Sequence, residues 1–424
     1  MSPNEKGWLK KYLNFRKRQL LKGEIPLSPY LSLDSGAFLY QLLQPTGLIY
    51  GHPTYLVSHP RENEWDENAR VKVLMTESFI HCGLYLYPPA DNSEDEIERL
   101  FTKVMADVKG FYHHTFLEYK KSGNSIFLRK RTDISRMEYL LDQRIAIKRR
   151  FSNFWTGFFH NSLIYLDLIY FLRWAELDGQ KFDFGLAKER EIIRILLLKL
   201  IAATSNADHR VSPEEKILFN FFLESANLPY NKKRLARRFI EEKLALRDID
   251  LSLVNTWVLK KYFLEITILT IRADRDIQDA ELEFLEQLLE GLNLDEQEMM
   301  LSLEAIENFV LEHKPRVHYL QSKQIYRLAS ERYIMSFKLA VKKNRRRISQ
   351  EISESKELVA LLSKWRKEDL TPEEKEKVRK QLIDILKTIP ALTIFMLPLG
   401  SITLPLLLKI LPKKVLYPSS FLED

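Results

Sequence analysis

Between Ile389 and Leu411 the chain carries one charged side chain, Lys409, in 23 residues. A stretch this apolar must be covered by protein or by lipid. As a helix it would reach about 34 Å, against a bilayer hydrocarbon core of about 30 Å. Lys409, with Lys413 and Lys414 beyond it, could extend to a membrane interface. Pro390, Pro398 and Pro405 interrupt the stretch and Pro412 closes it. In the interior of a water-soluble helix each break costs about 3 kcal/mol. Within a membrane, hydroxyl side chains such as Ser401 and Thr403 can satisfy the freed carbonyls. The tail is therefore expected to enter a membrane.

Composition narrows what precedes it. The 424 residues are 45% hydrophobic and 29% charged, which excludes global disorder and a polytopic membrane protein. Only 13 glycines and 17 prolines favour long helices over a glycine-turned sandwich, so the fold class is mostly α and multi-domain. The single cysteine, Cys82, excludes an intrachain disulfide and any thiolate-rich zinc site. No apolar core of signal-peptide length follows Met1, so the bulk of the chain is expected to face the cytoplasm from the cytoplasmic membrane.

Residues 1–92 form an N-terminal region without an assignable fold. Within it a basic amphipathic helix spans 6–22, where Lys10, Lys11, Arg16, Lys17 and Arg18 interleave with Trp8, Leu9 and Leu13. Such a helix suits RNA phosphates or anionic lipid, or is simply a solvated terminal helix. Thr54–Val57 and Val71–Met75 are candidate short strands. A helical region, 93–185, opens at Ser93 with a capping box and the apolar stripe Ile97, Leu100, Phe101, Val104, Val108 and Phe111. Phe154–Trp174 could span a bilayer by length. Its His160, Asn161, Asp167 and Arg173 make it a buried core helix instead.

An internal repeat occupies 186–312. Ala207-Asp208-His209-Arg210-Val211 before Glu215 recurs as Ala273-Asp274-Arg275-Asp276-Ile277 before Glu281. Leu218, Phe222 and Leu223 align with Phe284, Leu288 and Leu289, which implies two similar helical hairpins. The pattern resembles the tellurite-resistance TerB-like helical domain. That resemblance implies a possible divalent cation at Asp208, Glu215, Asp274, Asp276 and Glu281. Ser212-Pro213-Glu214-Glu215 is also a capping box, which favours Glu215 as a structural cap over a metal ligand.

A long basic helical connector, 313–370, carries Lys342, Lys343, Arg345, Arg346 and Arg347. This run suits RNA phosphates or anionic head groups. A new helix opens at Thr371-Pro372-Glu373-Glu374 and leads into the apolar tail. Over 371–424 the frame Pro390, Pro398, Pro405, Lys409, Pro412 and Pro418-Ser419-Ser420-Phe421 resembles the Letm family of leucine zipper/EF-hand transmembrane proteins. Among its bacterial relatives is a Letm-related biofilm-associated group. The resemblance implies a membrane protein concerned with ion homeostasis or ribosome binding. Ser401 stands where mitochondrial members carry a glutamate, which ranks cation/proton exchange second.

No phosphate-binding glycine loop, H-E-x-x-H or G-x-S-x-G motif occurs, and no nucleophile–base–orienter set follows from spacing. The combined expectation is a non-enzymatic, membrane-associated adaptor for ribosomes, RNA or anionic lipid. Cation/proton exchange, by a homo-oligomer, is the alternative. A divalent-metal-responsive sensor is a further one.

Overall fold

One-sided apolar patterning makes the outer helices and all-round apolarity makes the central one. The computed structural model describes residues 1–23, 33–52, 54, 56–115, 132–145, 154–177, 185–207, 211, 213–226, 228–242, 244–272, 279–312, 341 and 344–388. They fall into two compact units, Met1–Leu292 and Asn293–Asp424. No strand occurs among the described residues.

In the first unit α1 (Trp8–Leu21) buries Trp8, Leu9, Tyr12, Leu13, Arg16 and Leu20 on a single face. That face rests on α4 (Glu94–Thr115) and α5 (Asp133–Ile145). Between them in sequence lie α2 (Ser35–Leu43) and α3 (Glu67–Leu86). Asp34 caps α2 by accepting from the backbone N–H groups of Gly36 and Ala37 at 3.0 and 3.1 Å. Asp66 caps α3 through the Ala69 N–H at 2.8 Å. The strand expected at Val71–Met75 lies in the first half of α3. There Val71, Val73, Leu74 and Met75 are all buried, so the run of apolar residues carries no helical period to read. Thr54–Val57 holds no strand among its described residues.

The stripe expected on α4 is buried residue by residue, from Ile97 through Phe111. The Ser93 hydroxyl accepts from the Glu96 N–H at 3.4 Å, but the Glu96 carboxylate turns to the Ala90 N–H, so only half the capping box forms. Helices α3 and α4 meet at Gly83. A Cβ there would lie 2.2 Å from the Val104 Cγ2, a separation no side chain can tolerate.

Helix α6 (Phe154–Glu176) is the axis of the unit and touches α2, α3, α4 and α10 (Trp257–Arg272), and most extensively α8 (Pro213–Ser225). From Phe159 to Ala175 every side chain except Arg173 is buried. At its centre Asp167 is sealed between Arg144 of α5 and Arg190 of α7 (Gly185–Ser205). Arg190 Nε donates to it at 2.8 Å. Burial alone would raise the Asp167 pKa, but the two guanidinium groups outweigh it and hold the carboxyl below its usual range.

The repeat folds as two helical hairpins, α7 with α8 and α10 with α11 (Asp279–Leu292), and α7 packs on α10. Leu218, Phe222 and Leu223 are buried, as are their counterparts Phe284, Leu288 and Leu289. Short helix α9 (Tyr230–Ala236) joins the first hairpin to the rest.

The second unit contains α12 (Glu296–Glu312), α13 (Arg345–Glu354), α14 (Lys356–Lys367) and α15 (Pro372–Lys387). The last three pack on one another around Ile348, Ile352, Leu358, Leu362, Val378, Leu382 and Leu386. Thr371 and Glu374 form the expected reciprocal cap on α15, at 3.2 and 2.9 Å. The basic connector is not one helix where it is described. It breaks at Ser355, whose hydroxyl caps α14.

The expected membrane anchoring is corrected. Among the described residues no helix is long and apolar enough to cross a membrane. The longest, α6 with 23 residues, is apolar because helices surround it, and it carries Asp167 at its centre. Helices α13 to α15 bury one stripe against each other and keep polar outer faces, the pattern of helices solvated by water. The proline-broken segment itself, with Pro390, Pro398, Ser401, Pro405, Lys409 and Pro412, lies outside the described residues. The membrane-based fold class, the cytoplasmic-membrane placement, the membrane adaptor and the exchanger are withdrawn with that anchoring.

Candidate polyanion interface

Because one face of α1 is fixed in the core, the residues of its opposite face project from fixed backbone positions. Lys10, Asn14 and Arg18 follow at intervals of four and share that outer face, all exposed. Lys6, just before the helix, is exposed as well. Lys6, Lys10 and Arg18 have no carboxylate within ion-pair distance among the described residues. Lys11 is exposed and has Glu5 at 3.8 Å, an ion pair open to solvent on both sides.

The other two cations of the predicted surface are engaged. Lys17 donates to Glu94 at 2.7 Å and Glu98 at 3.1 Å, and these hydrogen bonds raise its pKa. Arg16 is fully buried. Its Nε donates to Glu77 Oε1 at 2.6 Å and its guanidinium to Gln19 at 2.6 Å. The nearby Tyr12 hydroxyl has its pKa pushed up by burial and by the Glu77 charge. Arg16 therefore belongs to the core, and the spacing of cations along α1 gives no sign of it.

In the second unit Arg345, Arg346 and Arg347 project from the first turn of α13 and are exposed. Arg347 donates to the Thr388 carbonyl at 3.2 Å. Positive charge is unfavourable at a helix N-terminus, so anions that approach these side chains also relieve a local cost. Lys342 and Lys343 lie outside the described residues.

A third basic cluster was missed from sequence although its composition is plain: Lys232, Lys233, Arg234, Arg237 and Arg238 on and after α9, beside the exposed Tyr230. Here the fold supplies counter-charges. Lys232 pairs with Glu191 and Lys233 with Glu224, while Arg237 with Glu224 and Arg238 with Glu242 form ion pairs open to solvent on both sides. Only Arg234 has no such partner among the described residues.

Of the proposed cation ligands, Asp208, Asp274 and Asp276 lie outside the described residues. Glu215 and Glu281 occupy equivalent places, the third residue of α8 and of α11, half-buried in each case. Negative charge there complements the helix N-terminus, as a cap would. Among the described residues no three His, Cys, Asp or Glu side chains gather closely enough to hold a metal.

No protein-family model, no curated protein and no solved structure matches this chain. The identification with the Letm family, its biofilm-associated group and the TerB-like domain is corrected accordingly. The described residues between 186 and 292 form a pair of helical hairpins in the first unit.

Proposed function

We propose that the protein is a non-catalytic helical scaffold that holds RNA through the outer face of α1. The observation that carries this reading is the division of labour on that helix. Its inner face, with Trp8, Leu9, Tyr12 and Leu13, anchors it in the core, and its outer face presents Lys10 and Arg18, with Lys6 alongside, unpaired with carboxylates. Because the backbone of the helix is already fixed, phosphate binding adds no cost of ordering the backbone beneath these cations. A duplex or single strand then gains by releasing its own counterions. The chain's net charge of +7 works in the same direction by steering approach.

The test is binding of a fluorescently labelled single-stranded RNA, with a duplex in parallel, by full-length protein at rising salt. Three phosphate contacts on a single strand predict a plot of log affinity against log salt with slope about −2. A slope near zero, or no binding at low salt, overturns the reading.

A further inference from the structure

A cleft of about 170 Å³ opens in the first unit where the C-terminal end of α6 meets the N-terminal ends of α2 and α10. The two N-termini can approach because Gly36 has no side chain: a Cβ there would lie 3.3 Å from the Val258 Cβ. An apolar cavity of about 150 Å³ holds benzene, so this one, open on one side, admits a ligand of roughly six to nine non-hydrogen atoms. Leu39, Ile169, Leu172 and Trp257 make its walls largely apolar. The Trp257 ring is positioned by an edge contact with Tyr40, their centroids 5.2 Å apart.

Charge decides what such a ligand carries. Three ionised side chains line the cleft, Asp34, Arg173 and Glu176. Arg173 is engaged by Glu189 at 2.6 Å. Asp34 uses Oδ1 to cap α2, where its charge is set against the positive end of that helix. Glu176 is exposed at the rim and pairs with no cation among the described residues. It stands on the last turn of α6, whose free carbonyls add negative potential. The N-terminal end of α10 opposes this in part. Lys261, the other nearby cation, is buried against the Tyr40 and Trp257 rings and does not line the cleft. The balance at the rim is negative over an apolar floor.

We propose that this cleft binds a small organic ammonium ion, its apolar body between Leu39, Leu172 and Trp257 and its ammonium group at Glu176. This site is independent of the α1 ridge, and neither reading depends on the other.

Calorimetric titration of the full-length protein with benzylammonium, benzyl alcohol and benzoate tests it, three single-ring probes of similar size and different charge. Benzylammonium should bind saturably and at least about tenfold more tightly than benzoate. Glu176→Gln should remove that preference and leave benzyl alcohol unchanged, and since Glu176 is exposed the variant keeps its fold. Ser35→Trp, which fills the cleft from the start of α2, should abolish binding of all three while the melting temperature shows a folded protein. Benzoate binding as tightly as benzylammonium, a Glu176→Gln variant with unchanged affinity, binding that survives Ser35→Trp, or no saturable binding of any probe would each overturn the proposal.

Discussion

Five cations fall between Lys10 and Arg18, and five between Lys232 and Arg238. Counted along the chain, the two segments are equally basic. In three dimensions they differ in what surrounds them. The fold brings Glu191, Glu224 and Glu242 to the second segment, and four of its five cations have partners. On α1 it brings carboxylates only to the inner cation Arg16 and to the flanks, and leaves Lys10 and Arg18 open. Asp167 marks the far end of the same scale, with Arg144 and Arg190 wholly enclosed around it. The availability of a cation to a polyanion is thus set by tertiary counter-charge, and cation density along the sequence is a poor guide to it.

Three experiments press on that scale. The largest effect is expected where the charges are most enclosed. Asp167→Asn leaves two buried guanidinium groups without their carboxylate and should lower stability by about 3–5 kcal/mol in urea unfolding at pH 7. The depressed Asp167 pKa also gives the wild type stability that is present above about pH 4 and is lost as pH falls through the lower folded-state value. The variant should lack that contribution on the acid side. An Asp167→Asn protein as stable as wild type at pH 7 would mean the enclosed cations need no counter-charge, and the scale would lose its anchor.

Next comes the outer face of α1. The combined change Lys6→Glu, Lys10→Glu and Arg18→Glu should lower RNA affinity about a hundredfold at low salt, with the melting temperature nearly unchanged because all three side chains are exposed. An unchanged affinity would place the RNA contact elsewhere. The smallest effect sharpens the comparison from the other side. Glu224→Gln releases Lys233 and Arg237, and should raise RNA affinity about two- to fivefold and steepen the salt slope by about one. No gain would show that the α9 cluster is excluded by more than its ion pairs.

Local features of the fold could be read ahead of the structure where one helix face carried the signal. The α4 stripe and the Thr371–Glu374 cap depend on residues within a few turns of each other, and the paired positions Leu218/Phe284 and Phe222/Leu288 on one such local pattern occurring twice. Reading failed where burial surrounds an element. In α3 the residues from Val71 to Ile80 are buried except Lys72, so no polar side marks the helical period and the β-branched valines suggest a strand. The site was half legible for the same reason. That α1 is basic and amphipathic follows from its own residues. That Arg16 is a core residue depends on Glu77, 61 positions away, and the pairing of Lys232 in the α9 cluster depends on Glu191 of α7. Such pairings have no local signature.

The Gly83 contact has a use in recognising kin of this protein. With only 2.2 Å between a notional methyl at 83 and the Val104 side chain, any chain that keeps this crossing of α3 and α4 while gaining a methyl at the first position must shrink the second, to alanine or glycine. A matched pair of that kind, found in two sequences too divergent to align otherwise, would be a signature of common descent written in volume alone.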